Sequence, residues 1–429
     1  MRVYKPSGIK WLGEIPQSWE IKPLQAIFNQ RNEQNNNLEF QTILSLVKDV
    51  GVIPYEEKGN VGNKAKDDLQ GYKIARVNDL VLNKMNAVIG SLGVSKYDGL
   101  VSPIYLVLYI ENPNYLIAYY SYLFQTKSIQ KFLRKFAYGI MEIRESIDYL
   151  EFKKMFLPTP PLQEQKEIAE FLDSKCEKIQ NYIDKKQKLI TLLQEKKQAL
   201  INKVVTKGLN PNIESKNSGI EYLGLIPHHW EVKKLKYVGK VVLGKMLCNE
   251  HQKGYSHCYY LKSKNLQWLN VEVSQIEKMW FSEYEKSLYR IKKDDLLVSE
   301  GGEVGKTCIW NNELAECYIQ NSVHKITLNK FNNAKFFLYL FFTYGKLGVF
   351  DSVVSRVSIA HLVLEKLINV DMVVPPLHEQ KEIAAFLDSK VAQINSVIEK
   401  TKKQITLIKE YKNTLINEAV CGRINLERK

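Results

Sequence analysis

The sequence predicts an α+β protein in which two mixed α/β globular domains and two long helices form an internal repeat with pseudo-two-fold symmetry. Residues 160–175 return as residues 375–390, with fourteen of sixteen positions identical at an offset of 215. Residues 7–24 return as residues 218–235, with eleven of eighteen positions identical. The stretches between these segments show no obvious match, which indicates two halves that share a frame and differ in their inserts.

Length and composition are consistent with this architecture. A chain of 429 residues is too long for one ordinary hydrophobic core, which favours two globular units with additional helix. Hydrophobic residues make up 45% and charged residues 25%, as is typical of soluble folded proteins. The net charge of +14 favours a polyanionic partner, with nucleic acid as the first candidate. A basic protein without such a partner is the alternative that charge alone leaves open.

The sequence contains no signal for export or membrane insertion. Its first residues lack the apolar core of a signal peptide, and no run of eighteen apolar residues predicts a membrane span. The most apolar stretch, residues 336–342, lies between Lys335 and Lys346 and predicts a buried helix. The six cysteines show no paired spacing, which favours free thiols. We therefore expect a cytoplasmic protein with no membrane partner.

The order of these signals predicts consecutive segments along the chain. Residues 208–219 are rich in Gly, Asn, Ser and Pro and predict a linker into the second half. The predicted segments are residues 1–159, a globular domain that contains the repeated segment 7–24; residues 160–208, a long helix; residues 209–374, a globular domain that contains the repeated segment 218–235; and residues 375–429, a second long helix.

Each globular segment is predicted to be a compact α+β domain. Short apolar runs bounded by turn residues predict strands, and longer apolar segments predict helices. The predicted strands are residues 79–83, 101–110, 295–299 and 323–328, and the predicted helices are residues 115–124 and 334–344.

Both long helices are predicted to begin directly after a repeated Pro-Pro pair, because proline suits the first turn of a helix but not its interior. From there to about residue 205 the first helix contains no Gly or Pro. Apolar residues recur at alternating steps of three and four, which is the pattern of a heptad seam. The predicted seam consists of Ile168, Leu172, Ile179, Ile183, Ile190, Leu193 and Leu200, and, 215 residues later, Ile383, Leu387, Ile394, Ile398, Ile405, Ile408 and Leu415.

Two narrow apolar stripes of equal length must be buried, and the simplest solution is that the helices bury each other in a coiled coil of about 65 Å. A whole domain separates the helices, so that parallel and antiparallel packing are both compatible with the connection. An approximate two-fold relation between equivalent halves favours the antiparallel arrangement. The alternative is that each helix packs on its own domain.

Three segments partly match motifs that carry chemistry. Residues 300–307 contain the residue types of a phosphate-binding loop, but Glu occupies the position of its first glycine and a strand is predicted to follow. We interpret them as a glycine turn that presents Lys306 to solvent or to a phosphate. Residues 112–115 (Asn-Pro-Asn-Tyr) only partly match a methyltransferase motif and are interpreted as a turn. Residues 248–258 contain two Cys and two His without zinc-finger spacing. No catalytic or metal-binding constellation is predicted.

Basic, amide, hydroxyl and aromatic residues interleave in the two inserts. Arg can read guanine, Asn and Gln can read adenine, and Lys and Ser can hold phosphates. A solvated surface is the alternative for any one of these residues. The candidate DNA-contacting residues are Lys84, Asn86, Lys96, Tyr97, Tyr138 and Arg144 in the first insert, and Lys306, Gln320, Asn321, Ser355, Arg356 and Ser358 in the second.

The complete pattern resembles the specificity subunit of Type I restriction–modification systems, over essentially the whole chain. The resemblance is carried by Trp-Leu-Gly-Glu-Ile-Pro-x-x-Trp at residues 11–19 with its copy at 222–230, and by Pro-Pro-Leu-x-Glu-Gln-Lys-Glu-Ile-Ala-x-Phe-Leu-Asp at residues 160–173 and 375–388. The segment 80–105 is also similar to a common type of recognition domain. A single Pro-Pro-x-x-Glu-Gln motif would not be specific, whereas the doubled arrangement is.

The resemblance implies two target recognition domains, each of which reads one half of a bipartite double-stranded DNA site. It also implies an antiparallel coiled coil that sets the spacing and docks two methyltransferase subunits, which restriction/translocase subunits then join for host defence. The specificity subunit would be non-catalytic and without cofactors, because S-adenosylmethionine, ATP and Mg²⁺ would belong to the partner subunits. One alternative is a coiled-coil interaction scaffold that does not read DNA sequence. Another is an unrecognised enzyme, such as a nuclease in one insert.

Overall fold

The structure is a computed structural model that describes residues 2–48, 50–59, 68–138, 146–251, 253–353, 361–424 and 426. The chain divides into two compact units. Unit 1 consists of Met1–Gln187 and Lys402–Lys429, and unit 2 consists of Lys188–Thr401. Each unit therefore combines one globular part with portions of both long helices. No helix in the described part of the chain is long and apolar enough to cross a membrane.

The first half of the chain contains fourteen strands and four α-helices in the described residues. They are β1 (Tyr4–Pro6), β2 (Glu14–Pro16), β3 (Glu20–Pro23), β4 (Asn29–Gln30), β5 (Leu44–Val47), β6 (Gly51–Pro54), β7 (Lys73–Ala75), β8 (Leu80–Asn83), β9 (Leu92–Val94), β10 (Gly99–Val101), β11 (Tyr105–Tyr109), α1 (Ile117–Gln125), α2 (Lys127–Leu133), β12 (Ala137–Tyr138), β13 (Ser146–Ile147), α3 (Tyr149–Phe152), β14 (Phe156–Thr159) and α4 (Leu162–Lys207).

The second half continues with thirteen strands and six α-helices among the described residues. They are β15 (Ser215–Asn217), β16 (Leu225–Pro227), β17 (Glu231–Lys234), α5 (Leu235–Val238), β18 (Gly239–Leu243), β19 (Ser256–Leu261), β20 (Leu266–Gln267), β21 (Asn270–Val271), β22 (Glu277–Phe281), α6 (Glu283–Tyr289), β23 (Leu296–Ser299), β24 (Thr307–Ile309), β25 (Tyr318–Ile319), β26 (Val323–Leu328), α7 (Ala334–Lys346), α8 (Val349–Val353), α9 (Leu364–Leu367), β27 (Asp371–Val374) and α10 (Leu377–Val420).

Each unit contains a four-stranded antiparallel sheet of the same strand order. The order is β4-β11-β8-β9 in unit 1 and β18-β26-β23-β24 in unit 2. The register corresponds as well, since Leu80 pairs with Leu108 in unit 1 and Leu296 pairs with Ile326 in unit 2. The sheets therefore repeat, although the sequences that form them do not match visibly.

The turns that lead into the central strands β8 and β23 use the same local device. The carboxylate of Asp79 accepts a hydrogen bond from the backbone N–H three residues earlier, at 2.8 Å, and that of Asp295 does the same at 2.7 Å. The preceding residues, Asn78 and Asp294, have φ values of +71° and +69°. Asn and Asp tolerate this left-handed conformation better than most residues. Each of the two strands is therefore preceded by a turn that ends in a pair of Asn or Asp residues.

The predicted strands and helices of the globular parts are present, with one difference. The continuous strand predicted at residues 101–110 is divided into β10 and β11 by a turn at Ser102-Pro103, because proline has no backbone N–H to donate to a sheet. The apolar segment 336–342 is buried within α7, as predicted. In unit 2, α7 packs in one core with Ile201 of α4 and with Ile383 and Leu387 of α10.

The two long helices run antiparallel within unit 1. The Trp19 indole Nε1 donates to Glu164 in the first turn of α4, at 2.8 Å, while a Cβ atom at Gly422, after the end of α10, would lie only 2.9 Å from the same ring. Further along, burial raises the pKa of the Cys176 thiol on α4, and the positive charge of Lys412 on α10 partly offsets this. The start of α4 therefore lies beside the end of α10.

Unit 2 contains the equivalent arrangement with the two helices exchanged. Trp230 Nε1 donates to Glu379 in the first turn of α10 at 3.0 Å, and a Cβ atom at Gly208, after α4, would lie 3.4 Å from the Trp230 ring. Lys197 of α4 donates to the side-chain oxygen of Asn395 of α10 at 3.1 Å. The predicted antiparallel packing is thus present, and each unit is completed by the end of the other repeat's helix.

Candidate nucleic-acid interface and its frame

The repeated Glu-Gln pair attaches each long helix to its own globular part. The first member, Glu164 or Glu379, accepts the tryptophan hydrogen bond described above. Glu164 also pairs with Arg2, whereas Glu379 contacts His229 Nε2 at 2.5 Å. The carboxylates are the same in both units, and the cationic or imidazole partner differs.

The second member of the pair is buried and fully bonded. In unit 1, Gln165 accepts from the Leu116 N–H at 2.8 Å and donates to the carbonyls of Asn114 and Pro160 at 3.1 and 2.8 Å. The segment 112–115 forms the turn before α1, as predicted, with the Asn112 side chain accepting from the Asn114 N–H. Gln165 therefore fastens this turn to the start of α4.

Gln380 has the same role in unit 2. It accepts from the Asn333 N–H at 2.8 Å and donates to the Pro375 carbonyl at 2.8 Å, and it also contacts Asn332 at 3.3 Å. The last residue of the repeated motif adds a further attachment, since Tyr339 of α7 donates to Asp388 at 2.9 Å. The repeated residues thus form the joint between helix and globular part.

The predicted seam residues lie on the inner faces of the two helices. Nine of the fourteen are buried and none is exposed; the half-buried five are Ile190, Leu193, Leu200, Ile394 and Ile408. The neighbouring Leu192 and Leu407, outside the predicted seam, are 51% and 54% exposed. Burial therefore follows the heptad pattern, which is what mutual packing of two narrow apolar stripes requires.

The unit 1 candidates Lys84 and Asn86 lie on the turn that follows β8, where Lys84 is half-buried and Asn86 is exposed. Lys73 lies nearby and donates to the Tyr105 carbonyl at 2.8 Å. Burial and the positive charge of Lys84 lower the pKa of Lys73. The turn therefore presents an amide beside two close lysine side chains. Sequence inspection missed Lys73, because only the sheet brings it to this end of β8.

The other unit 1 candidates are more scattered. Lys96 and Tyr97 are both exposed on the turn between β9 and β10, with Tyr97 anchored by its backbone to the Ser95 hydroxyl. Tyr138 lies in β12, which pairs with β13. Arg144 lies outside the described residues, so that its position relative to the others is not given by the structure.

The unit 2 candidates Gln320 and Asn321 form a half-buried polar turn between β25 and β26. The Gln320 amide nitrogen donates to the side-chain oxygen of Asn321, and the Gln320 side-chain oxygen accepts from the Ser322 N–H and hydroxyl at 3.1 and 2.5 Å. Ser322 in turn bonds Ser263, at 3.0 and 2.7 Å. This network holds amide and hydroxyl groups in fixed orientation at the surface, which suits hydrogen bonding to base edges.

Lys306 lies on the predicted glycine turn, which joins β23 to β24. Its ammonium group pairs with Glu303 at 3.0 Å, and its side chain is 16% exposed, so that a neighbouring carboxylate partly neutralises it. Glu303 also accepts from the Trp268 indole at 2.5 Å. The last three candidates, Ser355, Arg356 and Ser358, lie outside the described residues.

The turns that follow β8 and β23 place residues of opposite charge, Lys84 and Glu300, at equivalent positions of the backbone. The N–H of Ile147 donates to the Lys84 carbonyl at 3.0 Å, and the N–H of Leu362 donates to the Glu300 carbonyl at 2.8 Å. Burial raises the pKa of Glu300, and the nearby His361, at 3.8 Å, opposes this effect. A lysine in unit 1 therefore corresponds to a carboxylate in unit 2. Glu300 is absent from the sequence-predicted candidates, which contain basic, amide, hydroxyl and aromatic residues and no carboxylate.

The remaining partial motif carries no metal site in the described part of the chain. No group of three or more His, Cys, Asp or Glu side chains there could hold a metal ion. His251 and His257 instead pack against Trp280, with ring centroids 4.6 and 4.7 Å away. The six cysteines are free thiols, as expected, and burial raises the pKa of Cys317 to about 12.

Comparison with known proteins places the repeat in a family. The model of the family described as "Type I restriction modification DNA specificity domain" matches residues 16–194 and again residues 227–407. The chain belongs to this family. The two matches cover the greater part of the sequence and confirm the resemblance, the internal repeat and the presence of two target recognition domains.

Relatives of the specificity subunit family align over different lengths. A putative Type I restriction enzyme MjaX specificity subunit from Methanocaldococcus jannaschii is 26% identical over 100% of this chain and 99% of its own length. The Type I restriction enzyme EcoBI specificity subunit from Escherichia coli is 30% identical over 33% of this chain and 29% of its own length. The relation to MjaX thus includes both halves.

Solved structures show the same fold. A chain from a structure of the assembly and conformational transition of the type I R-M system has a TM-score of 0.73 at 15% identity, covering 96% of this chain and 99% of that chain. The crystal structure of the HsdS subunit from Thermoanaerobacter tengcongensis has a TM-score of 0.54 at 14% identity, covering 96% and 98%. The specificity-subunit architecture therefore extends over nearly the whole chain.

Proposed function

We propose that this specificity subunit reads DNA without catalysing a reaction, each target recognition domain recognising one half of a bipartite double-stranded site. The observation that carries the proposal is a common sheet frame with different chemistry at equivalent surface turns. Lys84 corresponds to Glu300, and the Ser-Pro-Ile turn at residues 102–104 corresponds to Gln-Asn-Ser at residues 320–322. Two sheets of the same topology that present different hydrogen-bond donors and acceptors on their turns are suited to reading two different half-sites.

The recognition domains are proposed to be residues 1–159 and 209–374. In the first, Lys84 and Lys96 would hold phosphates and Asn86 would reach a base edge, because ammonium groups bind phosphates and amides can bond adenine bidentately. In the second, Gln320 and Asn321 would read bases from their bonded turn. A carboxylate such as Glu300 would accept a hydrogen bond from a base amino group, as on cytosine.

The two long helices are proposed to fix the separation of the half-sites and to dock two methyltransferase subunits, with restriction/translocase subunits completing the complex. S-adenosylmethionine, ATP and Mg²⁺ would be bound by those partners, and the specificity subunit would carry no cofactor. The antiparallel helices support the separation role, because a helix of fixed length is a rigid spacer. The complex would act in the cytoplasm in host defence.

The decisive experiment is to sequence methylated adenines in a host that carries this chain and its methyltransferase partner. We expect one bipartite motif with a spacer of constant length. Replacing residues 236–374 with the insert of another specificity subunit should change one half of the motif and leave the other unchanged. A change in both halves would contradict independent reading, and the absence of any motif would favour an interaction scaffold.

The non-catalytic role has a separate test. The purified chain incubated with DNA and Mg²⁺, without partner subunits, should leave the DNA intact and unmethylated. Cleavage that follows the chain through purification, and that is lost with one insert, would assign a nuclease to that insert.

A further inference from the structure

Unit 2 contains a two-stranded antiparallel ribbon, formed by β19 and β22, whose outer face is aromatic and basic. Side chains alternate between the faces of a strand. Met279 and Phe281 of β22 are fully buried on the inner face. The outer face therefore carries two directly paired positions, His257 opposite Trp280 and Tyr259 opposite Lys278. Three strands form this sheet, in the order β22-β19-β25, so that β22 is an edge strand.

The outer face is ordered by contacts between its own side chains. The His257 ring stacks on Trp280 at 4.7 Å with an interplanar angle of 27°, and His251 meets the same indole edge-on at 4.6 Å. The Lys278 ammonium lies 4.4 Å from the centroid of the Tyr259 ring. His257 and Lys278 are exposed, and Tyr259 is 39% exposed. A flat aromatic surface thus holds a cation at the solvent boundary.

Charge pairing distinguishes this face from the rest of the ribbon. Lys262 and Lys264 both pair with Glu277, at 2.7 and 2.9 Å, and Lys286 pairs with Glu283 at 3.0 Å. Lys278 makes no salt bridge with any residue that the structure describes. The positive charge on the outer face therefore remains available to an anionic partner, whereas Lys262, Lys264 and Lys286 each have a carboxylate within salt-bridge distance.

Unit 1 does not repeat this face on the corresponding hairpin, which has a parallel bridge between Ile43 and Leu100 where β19 pairs in parallel with β25. Its two-stranded hairpin, β5–β6, buries Leu44, Leu46 and Val52 on one side. The opposite side of that hairpin carries no aromatic ring and no cation; its residues are Ser45, Val47, Gly51 and Ile53. The aromatic and basic face is therefore a property of the second recognition domain, and a general requirement of the sheet frame does not explain it.

We propose that the outer face of the β19–β22 ribbon binds the sugar–phosphate backbone of duplex DNA beside the half-site read by unit 2. The inference rests on the proposed DNA-reading function and adds a contact surface to it. A two-stranded ribbon fits the major groove of B-DNA, and Lys and Tyr side chains can contact the phosphates on either side of that groove. The negative phosphates of DNA would pair with the Lys278 ammonium group, which has no salt bridge among the described residues. The net charge of +14 on the chain favours the same partner.

The test measures the salt dependence of DNA binding by the full chain assembled with its methyltransferase subunits. The probe is a fluorescein-labelled duplex that carries the motif identified by sequencing methylated adenines. A duplex of scrambled sequence serves for comparison. Each phosphate contact contributes about 0.9 to the slope of log K against log salt concentration. We expect Lys278→Gln to lower that slope by about 1. Lys264→Gln, which changes the net charge equally at a paired lysine, should leave the slope close to that of the unmodified complex.

The outcomes separate this inference from the proposed function. Lys278→Arg should restore the slope, which loss of folding would not allow. An unmodified complex that does not distinguish the motif from the scrambled duplex would overturn the proposed function. Normal discrimination with equal slopes for Lys278→Gln and Lys264→Gln would overturn the ribbon contact alone. Loss of the methyltransferase subunits from the Lys278→Gln complex, with the slope unchanged, would instead identify a protein interface and also overturn the inference.

Discussion

At the scale of single residues, the repeated motif is explained by buried polar groups with no spare bonding capacity. Gln165 and Gln380 are both 0% exposed, and each uses its oxygen and its nitrogen to hold backbone groups of the preceding turn. Any apolar side chain in their place would leave buried donors and acceptors unpaired. Such positions tolerate little change, whereas the solvated turn residues of the inserts are free to differ.

Gln380→Ala is expected to destabilise unit 2. The Asn333 N–H and the Pro375 carbonyl would lose their partner, at a cost of about 1–3 kcal/mol for each orphaned group. Gln393→Ala provides the matched control, because Gln393 is exposed and bonded to the Ser389 hydroxyl at 3.3 Å. Urea unfolding of the two variants measures the difference. Equal stability of the two would show that the Gln380 bonds are dispensable.

His324 predicts a pH dependence of stability. It is fully buried, its Nε2 contacts the Leu362 carbonyl at 2.7 Å, and burial lowers its pKa below the usual 6.5. Well above pH 6.5 the ring is neutral in both states and has no effect. As the pH falls through 6.5, the unfolded chain takes up a proton that the folded chain refuses, so that stability is lost at up to about 1.4 kcal/mol per pH unit.

The measurement is the free energy of unfolding between about pH 8 and pH 5, compared with that of His324→Gln. The variant should lose less stability on acidification, because Gln does not titrate, and the comparison cancels the contributions of all other groups. His257→Gln, at an exposed position, should follow the unmodified chain. Parallel pH curves for all three proteins would contradict the buried-histidine explanation.

At the scale of elements, both long helices end in the same way, but with different room around the final glycine. Gly208 and Gly422 have φ values of +73° and +72°, the left-handed conformation that ends many helices. A Cβ atom at Gly422 would lie 2.6 Å from Pro16, whereas at Gly208 the nearest atom, on Trp230, is 3.4 Å away. The two ends are therefore a matched pair for substitution.

Gly208→Ala should cost about 1–2 kcal/mol, from left-handed backbone strain alone. Gly422→Ala should cost more, by about 1–3 kcal/mol of overpacking, because Pro16 must move. Hydrogen exchange resolved by residue should show the loss of protection in unit 2 for the first variant and in unit 1 for the second. A larger effect at Gly208 than at Gly422 would contradict the packing argument.

At the scale of the whole molecule, the repeat separates a shared frame from two inserts. The sheets, the helix attachments and the heptad seam are common to both halves, and the turns differ in charge and bonding. Unit 1 is built from two segments distant in sequence, since Lys402–Lys429 belongs to it, whereas unit 2 is the continuous segment Lys188–Thr401. This division explains how one geometry can be used with two different recognition surfaces.

Removing one heptad from each helix should shorten the spacer between the two half-sites. Deleting residues 184–190 together with the repeat-equivalent residues 399–405 removes about 10.5 Å of helical rise and preserves the heptad pattern. Methylome sequencing of the host should return both half-sites unchanged with a shorter spacer. Deleting the segment from only one helix should abolish methylation, because the seams would no longer match. An unchanged spacer would exclude the helices as the ruler.

The sequence by itself determined the repeat, the two long helices, their seam and the family, because these depend on local periodicity and on identities that can be read along the chain. Only the tertiary structure decided that the two sheets share one register and that each helix end completes the other repeat's unit. It also placed Lys73 beside Lys84 and formed the aromatic face of the β19–β22 ribbon. These features depend on hydrogen bonds and packing between residues far apart in sequence. The two inserts share no visible sequence pattern from which such contacts could be predicted.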